Sequence, residues 1–392
     1  MAADALPKAP ARMDLPRGLP AQSVGRLSGG RDLRLDLLRG WCIFSMVCDH
    51  AGADHAAFVK HVTGAGGWPM TGAHGFVLLS GTVMGLVYAS VIAQEGLGGA
   101  FVKALRRGRT LYLVAIALGL LQLAFSLTPW GGGARLSDYN METLVGLATL
   151  HHGADALMAS YALLIFSAPL AFYLFERGRW YLVLAVSLLL WAGSQRFPDQ
   201  FSLSFEIALP LMQWQLLFVV GLLVGYHRAQ IGTWLSGRRR TAYLVCLFTA
   251  WSLLLVVVLL PARVPWSWFG HDVSWLLYAL NPRWPGAEAF PSYDDNGPLH
   301  MLAIFVFAFS LFHLVDWAWP VVSAALGWLL IPLGQAALYV YAAHLVVVTM
   351  VIANLPFYSG LQGAILDVVL LAAMLLLWLM VRTRFLFRVV PR

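Results

Sequence analysis

The chain has 392 residues, 60% hydrophobic and only 11% charged, a balance that excludes an ordinary water-soluble globular domain. Its formal net charge of +7 would suggest nucleic acid only if the basic residues formed a water-facing patch, and their spread along the chain gives none. Cys42, Cys48 and Cys246 lie in apolar segments without paired spacing, which excludes a disulfide framework or zinc site and reads as reduced packing residues.

Residues 1–32 carry scattered Pro, Gly and Arg with no apolar core of signal-peptide length, so a disordered cytoplasmic tail is expected there. Residues 33–392 read as one transmembrane domain. Apolar runs able to cross roughly 30 Å of hydrocarbon as helices fall near 33–50, 73–94, 110–128, 156–175, 180–195, 209–226, 241–261, 299–315, 328–353 and 362–381. The expected fold is all-α, a polytopic integral membrane helical bundle of about ten transmembrane helices. Between them, the stretch 317–332, bracketed by Pro320 and Pro332, reads as an interfacial or half-crossing element. With the N-terminus inside, the inner segments collect Lys103, Arg106, Arg107, Arg109, the Arg238–Arg240 run and the basic C-terminus, while the outer loops keep Lys60, Arg135, Arg196, Arg263 and Arg283. That asymmetry places both termini in the cytoplasm. Most histidines and carboxylates then fall at the outer face. There is no internal duplication of the inverted-repeat kind.

Ionisable groups within spans are the candidates for chemistry, because a charge at membrane depth is costly unless paired or used. Asp36 and Arg39 share a helix face near the inner end of the first span and read either as a functional pair or as an ion pair fixing the helix end. His50 lies at the outer end of the same helix, about 21 Å from Asp36. Asp49 precedes it and orients the imidazole only if the helix unwinds at Ala51-Gly52. His344 sits deep in a long apolar span, where imidazole needs a partner or a wet cavity. Upstream, Gln335 and Tyr339 are expected on one face, and Tyr341 with His344 on another. Gln213, Trp214 and Gln215 open the sixth span, and Ser80-Gly81 with Gly85 suits close helix contact. The outer loop 262–298 mixes Trp266, Trp268, Trp275 and Trp284 with acidic residues, fitting either a sugar-stacking surface or an aromatic belt. Phosphate-loop and His-Glu-x-x-His motifs are absent, and His151-His152 alone is weak ground for a metal, so no metal is expected.

Four stretches occur in order: Arg31-Asp-Leu-Arg-Leu-Asp36-Leu-Leu-Arg39-Gly40 with Cys48-Asp49-His50; Phe76-Val-Leu-Leu-Ser80-Gly81; Gln213-Trp214-Gln215 leading to Gly221; and Gly334-Gln335-Ala-Ala-Leu-Tyr339-Val-Tyr341. Together they resemble the OpgC family, the succinyltransferases of osmoregulated periplasmic glucans, and more loosely the wider transmembrane acyltransferases. The resemblance implies a multi-pass protein of the bacterial inner membrane that moves a succinyl or acetyl group from cytoplasmic acyl-CoA to a hydroxyl of a periplasmic glucan or other envelope glycan. His50 then holds the position of the family's first-span histidine, and Asp155 and Tyr161 match a polar stretch opening the fourth span. Where OpgC-like sequences tend to carry acidic residues before the Ser-Gly of span two, this chain has Thr71 and His74.

On that reading His50, Asp49 and His344 are the catalytic candidates, with His50 as general base or transient acyl carrier. Arg39, Asp36, Arg106 and Arg107 are the candidate donor-binding residues, aided by Arg109 and Arg238–Arg240 on CoA phosphates. Asp155, Trp214, Gln215, Gln335 and Tyr339 are the candidate substrate-binding residues. Expected partners are the lipid bilayer, acyl-CoA and the glycan acceptor, without nucleic acid; self-association is left open. Two other classes compete: a proton-coupled transporter or flippase of a polar solute, and a non-catalytic membrane partner of a glycan pathway. Acyl-labelled product separates the first from these, and silent substitutions at both histidines identify the last.

Overall fold

The computed structural model describes residues 27–28, 31–63, 68–135, 156–197, 208–259, 297–352 and 360–387. Residues 1–26, the acidic and tryptophan-rich loop and Asp155 lie outside the described residues. Helices dominate: α1 (Leu33–His50), α2 (Val59–Thr63), α3 (Gly72–Ser126), α4 (Ala156–Glu176), α5 (Trp180–Arg196), α6 (Ala208–Tyr226), α7 (Arg228–Trp234), α8 (Arg238–Leu259), α9 (Pro298–Trp317), α10 (Trp319–Gln335), α11 (Ala337–His344) and α12 (Gly363–Arg382). The strand pairing among described residues is slight. Leu27–Ser28 runs antiparallel to Arg31–Asp32, and Ala56 bridges Gly363.

α1 is the centre of the bundle. It packs against α3, α9, α10, α11 and α12, and nearly every side chain from Leu35 to Cys48 is buried. A helix enclosed on all sides is shielded from lipid, which lets it hold Arg34, Asp36, Arg39 and Asp49 at membrane depth. Its start is fixed by Asp32, whose carboxylate accepts the Arg34 backbone N–H at 3.2 Å, an N-cap. Near its far end the α2 loop is held by Asp367 of α12, which accepts from the backbone N–H groups of Phe58 (3.0 Å) and Val59 (2.9 Å). Outward-facing Leu170, Leu189, Val321 and Ile365 are exposed, as on a surface solvated by lipid.

Two glycine seams set the helix spacing. Gly81 and Gly85 of α3 face Gly221 and Gly225 of α6, and a Cβ at any of the four would overlap backbone oxygen of the opposite helix. Gly40 of α1 and Gly334 of α10 meet Leu330 and Asp36 in the same way. Small residues are what permit such backbone approach in apolar surroundings, as expected from Ser80-Gly81 and Gly85.

Several span expectations change. The runs 73–94 and 110–128 belong to one long element, α3, broken where Gly96 takes φ 74°, ψ 177°, a conformation natural to glycine. The run 328–353 is not one straight span: an 85° bend separates Trp319–Gln335 from Ala337–Val348. Pro332 lacks the N–H that would continue the ladder, and Ala336 (φ −109°, ψ 32°) leaves helical geometry while its own N–H bonds to Pro332 O at 3.1 Å. The stretch 317–332 is thereby part of α10, and after His344 the chain winds as a π-helix, Leu345–Val351. A second bend, 74°, separates α6 from α7. Among the described residues four helices are individually long and apolar enough to span a membrane, or up to six if each bent pair counts once. The architecture is thus an all-α membrane bundle, in which four to six of the expected spans meet that criterion among the described residues. α1 stands apart from those four because Arg34, Asp36, Arg39 and Asp49 interrupt its apolar run.

Candidate functional site

The two histidines, offered by the sequence as separate candidates, are in contact. His50 Nδ1 lies 2.9 Å from His344 Nε2, with the rings stacked at a centroid distance of 5.1 Å and 21° between planes. α1 delivers His50 because the helix ends there, with Gly52 in the left-handed region at φ 74°. After the bend at Ala336, α11 packs against α1 and carries His344 from the level of Asp36 to His50. His344 is fully buried and His50 is exposed, so the pair joins the interior to an open face. Tyr341, one turn before His344, places its ring 5.0 Å from the imidazole, keeping the shared face expected of that spacing. The orienting contact on His50 therefore comes from His344. Asp49 accepts from Ser45 Oγ at 3.4 Å on the neighbouring side of the helix.

Tyr341 also belongs to the wall of a chamber of about 20 Å³ lined by Arg39, Phe76, Arg107, Leu111, Met158, Tyr161, Leu338 and Tyr341. Two guanidiniums thus converge one aromatic ring away from the histidine pair. The Arg39 guanidinium lies 5.8 Å from the Phe76 ring centroid, and its buried Nε has no hydrogen-bond partner among the described residues. The expected Asp36–Arg39 pair is not formed: Asp36 Oδ2 instead accepts from Gln335 Nε2 at 3.3 Å. The reason is the Gly334 seam, which brings the end of α10 against Asp36. Arg39 and Arg107 both line the chamber, Arg107 from an exposed position on α3; Arg106, also exposed, is outside its wall. Arg240 faces a separate cavity on another side of α1.

The substrate-binding expectations divide. Gln335 serves the Asp36 contact just described. Tyr339 does not share its face, because the bend at Ala336 intervenes; its ring packs on Phe387 with centroids 4.6 Å apart. Gln215 is a buried clamp rather than a free amide. Its Oε1 accepts from Ser187 Oγ at 2.7 Å and its Nε2 donates to Ser187 O (2.7 Å), joining α6 to α5, and to Met212 O (3.2 Å) within α6. Trp214 packs on His74, 4.9 Å between centroids, and His74 in turn meets His300 edge-on at 5.6 Å. His74 also completes a capping box with Thr71 at the start of α3. Asp155 lies outside the described residues. No cluster of three or more His, Cys, Asp or Glu with metal-holding geometry occurs among the described residues.

What the sequence did not indicate is the pairing of His50 with His344, since nothing local to either links positions 294 residues apart. The composition of the chamber was partly legible, through Arg39, Arg107 and Tyr161, but not its closure by Phe76 and Tyr341.

No curated protein and no solved structure matches the chain. A family profile described as OpgC protein matches residues 31–389, a range that takes in both histidines, the two chamber arginines and both glycine seams. With nearly its whole length matched, the chain belongs to the OpgC family.

Proposed function

We propose that the protein is a membrane-bound acyltransferase that moves a succinyl or acetyl group from cytoplasmic acyl-CoA to a hydroxyl of a periplasmic glucan or related envelope glycan. Membership of the OpgC family supports a transferase of this kind. The observation that carries the chemistry is the 2.9 Å contact between His50 and His344. An imidazole held by a second imidazole has a fixed ring orientation and a defined tautomer.

With the His344 proton on Nδ1, His344 Nε2 accepts from His50 Nδ1–H. That leaves Nε2 of His50 with a lone pair toward the open face, where it acts as general base. The acceptor hydroxyl gives its proton to His50 Nε2 while its oxygen attacks the thioester carbonyl. The C–S bond then breaks, and His50 returns the proton to the departing CoA thiolate. His344 is a positioning residue in this scheme. Arg39 and Arg107 hold an anionic group of the donor, with Asp36 and Gln335 keeping α1 and α10 in register beside them. At about 20 Å³ the chamber has room for little more than one water, so it widens to admit the donor. The basic ends of the bundle face the cytoplasm, with both termini on that side.

The test is transfer of label from succinyl-CoA or acetyl-CoA to glucan by the purified protein in vesicles. His50→Ala is expected to lower the rate by about 10² to 10⁴ while the protein remains monodisperse. His344→Ala is expected to lower kcat with little change in donor KM and to alter the pH–rate profile. Wild-type rates in His50→Ala would remove the histidine from the reaction. Uptake of solute without acylated product would favour the transporter.

A further inference from the structure

The end of the bundle that carries Arg34 holds a second, far larger cavity, about 560 Å³, on another face of α1. Its wall is apolar for most of its length, with Leu38, Trp41, Leu79, Leu86, Phe309 and Phe312 contributed by α1, α3 and α9. From Leu86 to Gly75 along α3 the slot runs about 16 Å, which is half the thickness of a hydrocarbon core of roughly 30 Å. It has the length of one leaflet's acyl chain.

Its polar groups are gathered at one mouth. Arg34, Arg228 and Arg240 line it there, with Tyr243 and His313 in contact at 3.3 Å. Asp32 takes a salt bridge from Arg34 (2.6 Å) and another from Arg228 (2.7 Å), while Asp316 takes a second from Arg34 (2.5 Å). Arg240 makes no ion pair among the described residues. Three guanidiniums therefore meet two carboxylates, and the mouth keeps one positive charge, the complement of a single phosphodiester. Neither His50, His344, Arg39 nor Arg107 lines the slot, so an occupant does not present a thioester to the histidine pair.

We propose that this slot is a binding site for one anionic glycerophospholipid from the leaflet at the basic end of the bundle, one acyl chain lying between α1, α3, α6 and α9 and the phosphate meeting Arg228 and Arg240. The site is separate from acyl transfer, and its occupancy is read without activity. Native mass spectrometry of the full chain released from nanodiscs of mixed phosphatidylglycerol and phosphatidylcholine is expected to retain one phosphatidylglycerol. Arg240→Gln, at an exposed mouth position, and the double variant with Arg228→Gln are expected to reduce retention, the double variant by about tenfold. Ala308→Phe, which fills the slot without touching a charge, is expected to abolish it. Equal retention of the two lipids, no retention, or retention indifferent to all three variants overturns the proposal. So does displacement of the phosphatidylglycerol by added succinyl-CoA, which would make the slot a donor site.

Discussion

The two cavities beside α1 are built on opposite principles. The chamber is about 20 Å³, close-packed, and carries two guanidiniums among aromatic rings; the slot is about 560 Å³, apolar along its length, with its charges drawn to one mouth. In the chamber Arg39 is half-buried and Arg107 exposed, and no ion pair to either is present among the described residues. A wide apolar passage at membrane depth needs no close packing, because lipid can fill it. One helix thus separates a space that waits for chemistry from a space that the membrane itself completes.

The most severe way to break this arrangement is to part α1 from α10. Gly334→Ala drives a methyl group into the Asp36 carbonyl, where the obstacle is backbone and cannot rotate away. The expected loss is about 3 kcal/mol or more, read as a large fall in melting temperature in detergent micelles. Smaller is the effect of Asp32→Asn at the mouth of the slot. Burial pushes the Asp32 carboxyl up, but the Arg34 and Arg228 guanidiniums overcome this and hold it below its usual value. Its stabilisation is therefore full at neutral pH and is lost as pH falls below about 4 toward the depressed folded value. Asp32→Asn should cost about 2 kcal/mol at neutral pH, since Arg34 keeps Asp316 and Arg228 is partly exposed, and should flatten the acid limb of melting temperature against pH. An acid limb unchanged by the substitution would assign that loss to another carboxylate.

The sharpest comparison pairs two leucines, of which Leu79→Ala is the smallest effect. Leu111 lines the chamber at 1% exposure, and Leu79 lines the slot while only partly buried. Leu111→Ala leaves a new hole in a closed wall and should cost about 3 kcal/mol. Leu79→Ala widens an existing void and should cost about 1 kcal/mol, close to the transfer term alone. Equal losses in paired denaturation measurements would mean that the slot is packed as tightly as the chamber.

Much of this was legible in the residues. Period and composition located α1, α4, α5, α6, α9 and α12 nearly to their ends, because an apolar helix in lipid has few ways to satisfy its backbone. Glycines at spacing four in α3 pointed to a close helix contact, though not to α6 as its partner, and polar groups at both ends of α1 marked it as unusual. The partners were less readable. Gln215 looked available until Ser187 of another helix took its amide. Gln335 and Tyr339 share a face only on a continuous helix, and Pro332 with Ala336 ends that continuity. Local spacing cannot report a contact between helices far apart in sequence, and the Asp36–Gln335 bond and the His50–His344 pair are both of that kind.

The glycine seams bear on how material crosses this protein. Along α1–α10 and α3–α6, backbone rests on backbone with no side chain between to act as a bearing. Helices fitted so closely resist rocking past one another, the motion by which many carriers expose a site first to one side and then to the other. On the proposed acyl transfer, the donor then enters by local widening of the chamber and not by rocking of whole helices past one another.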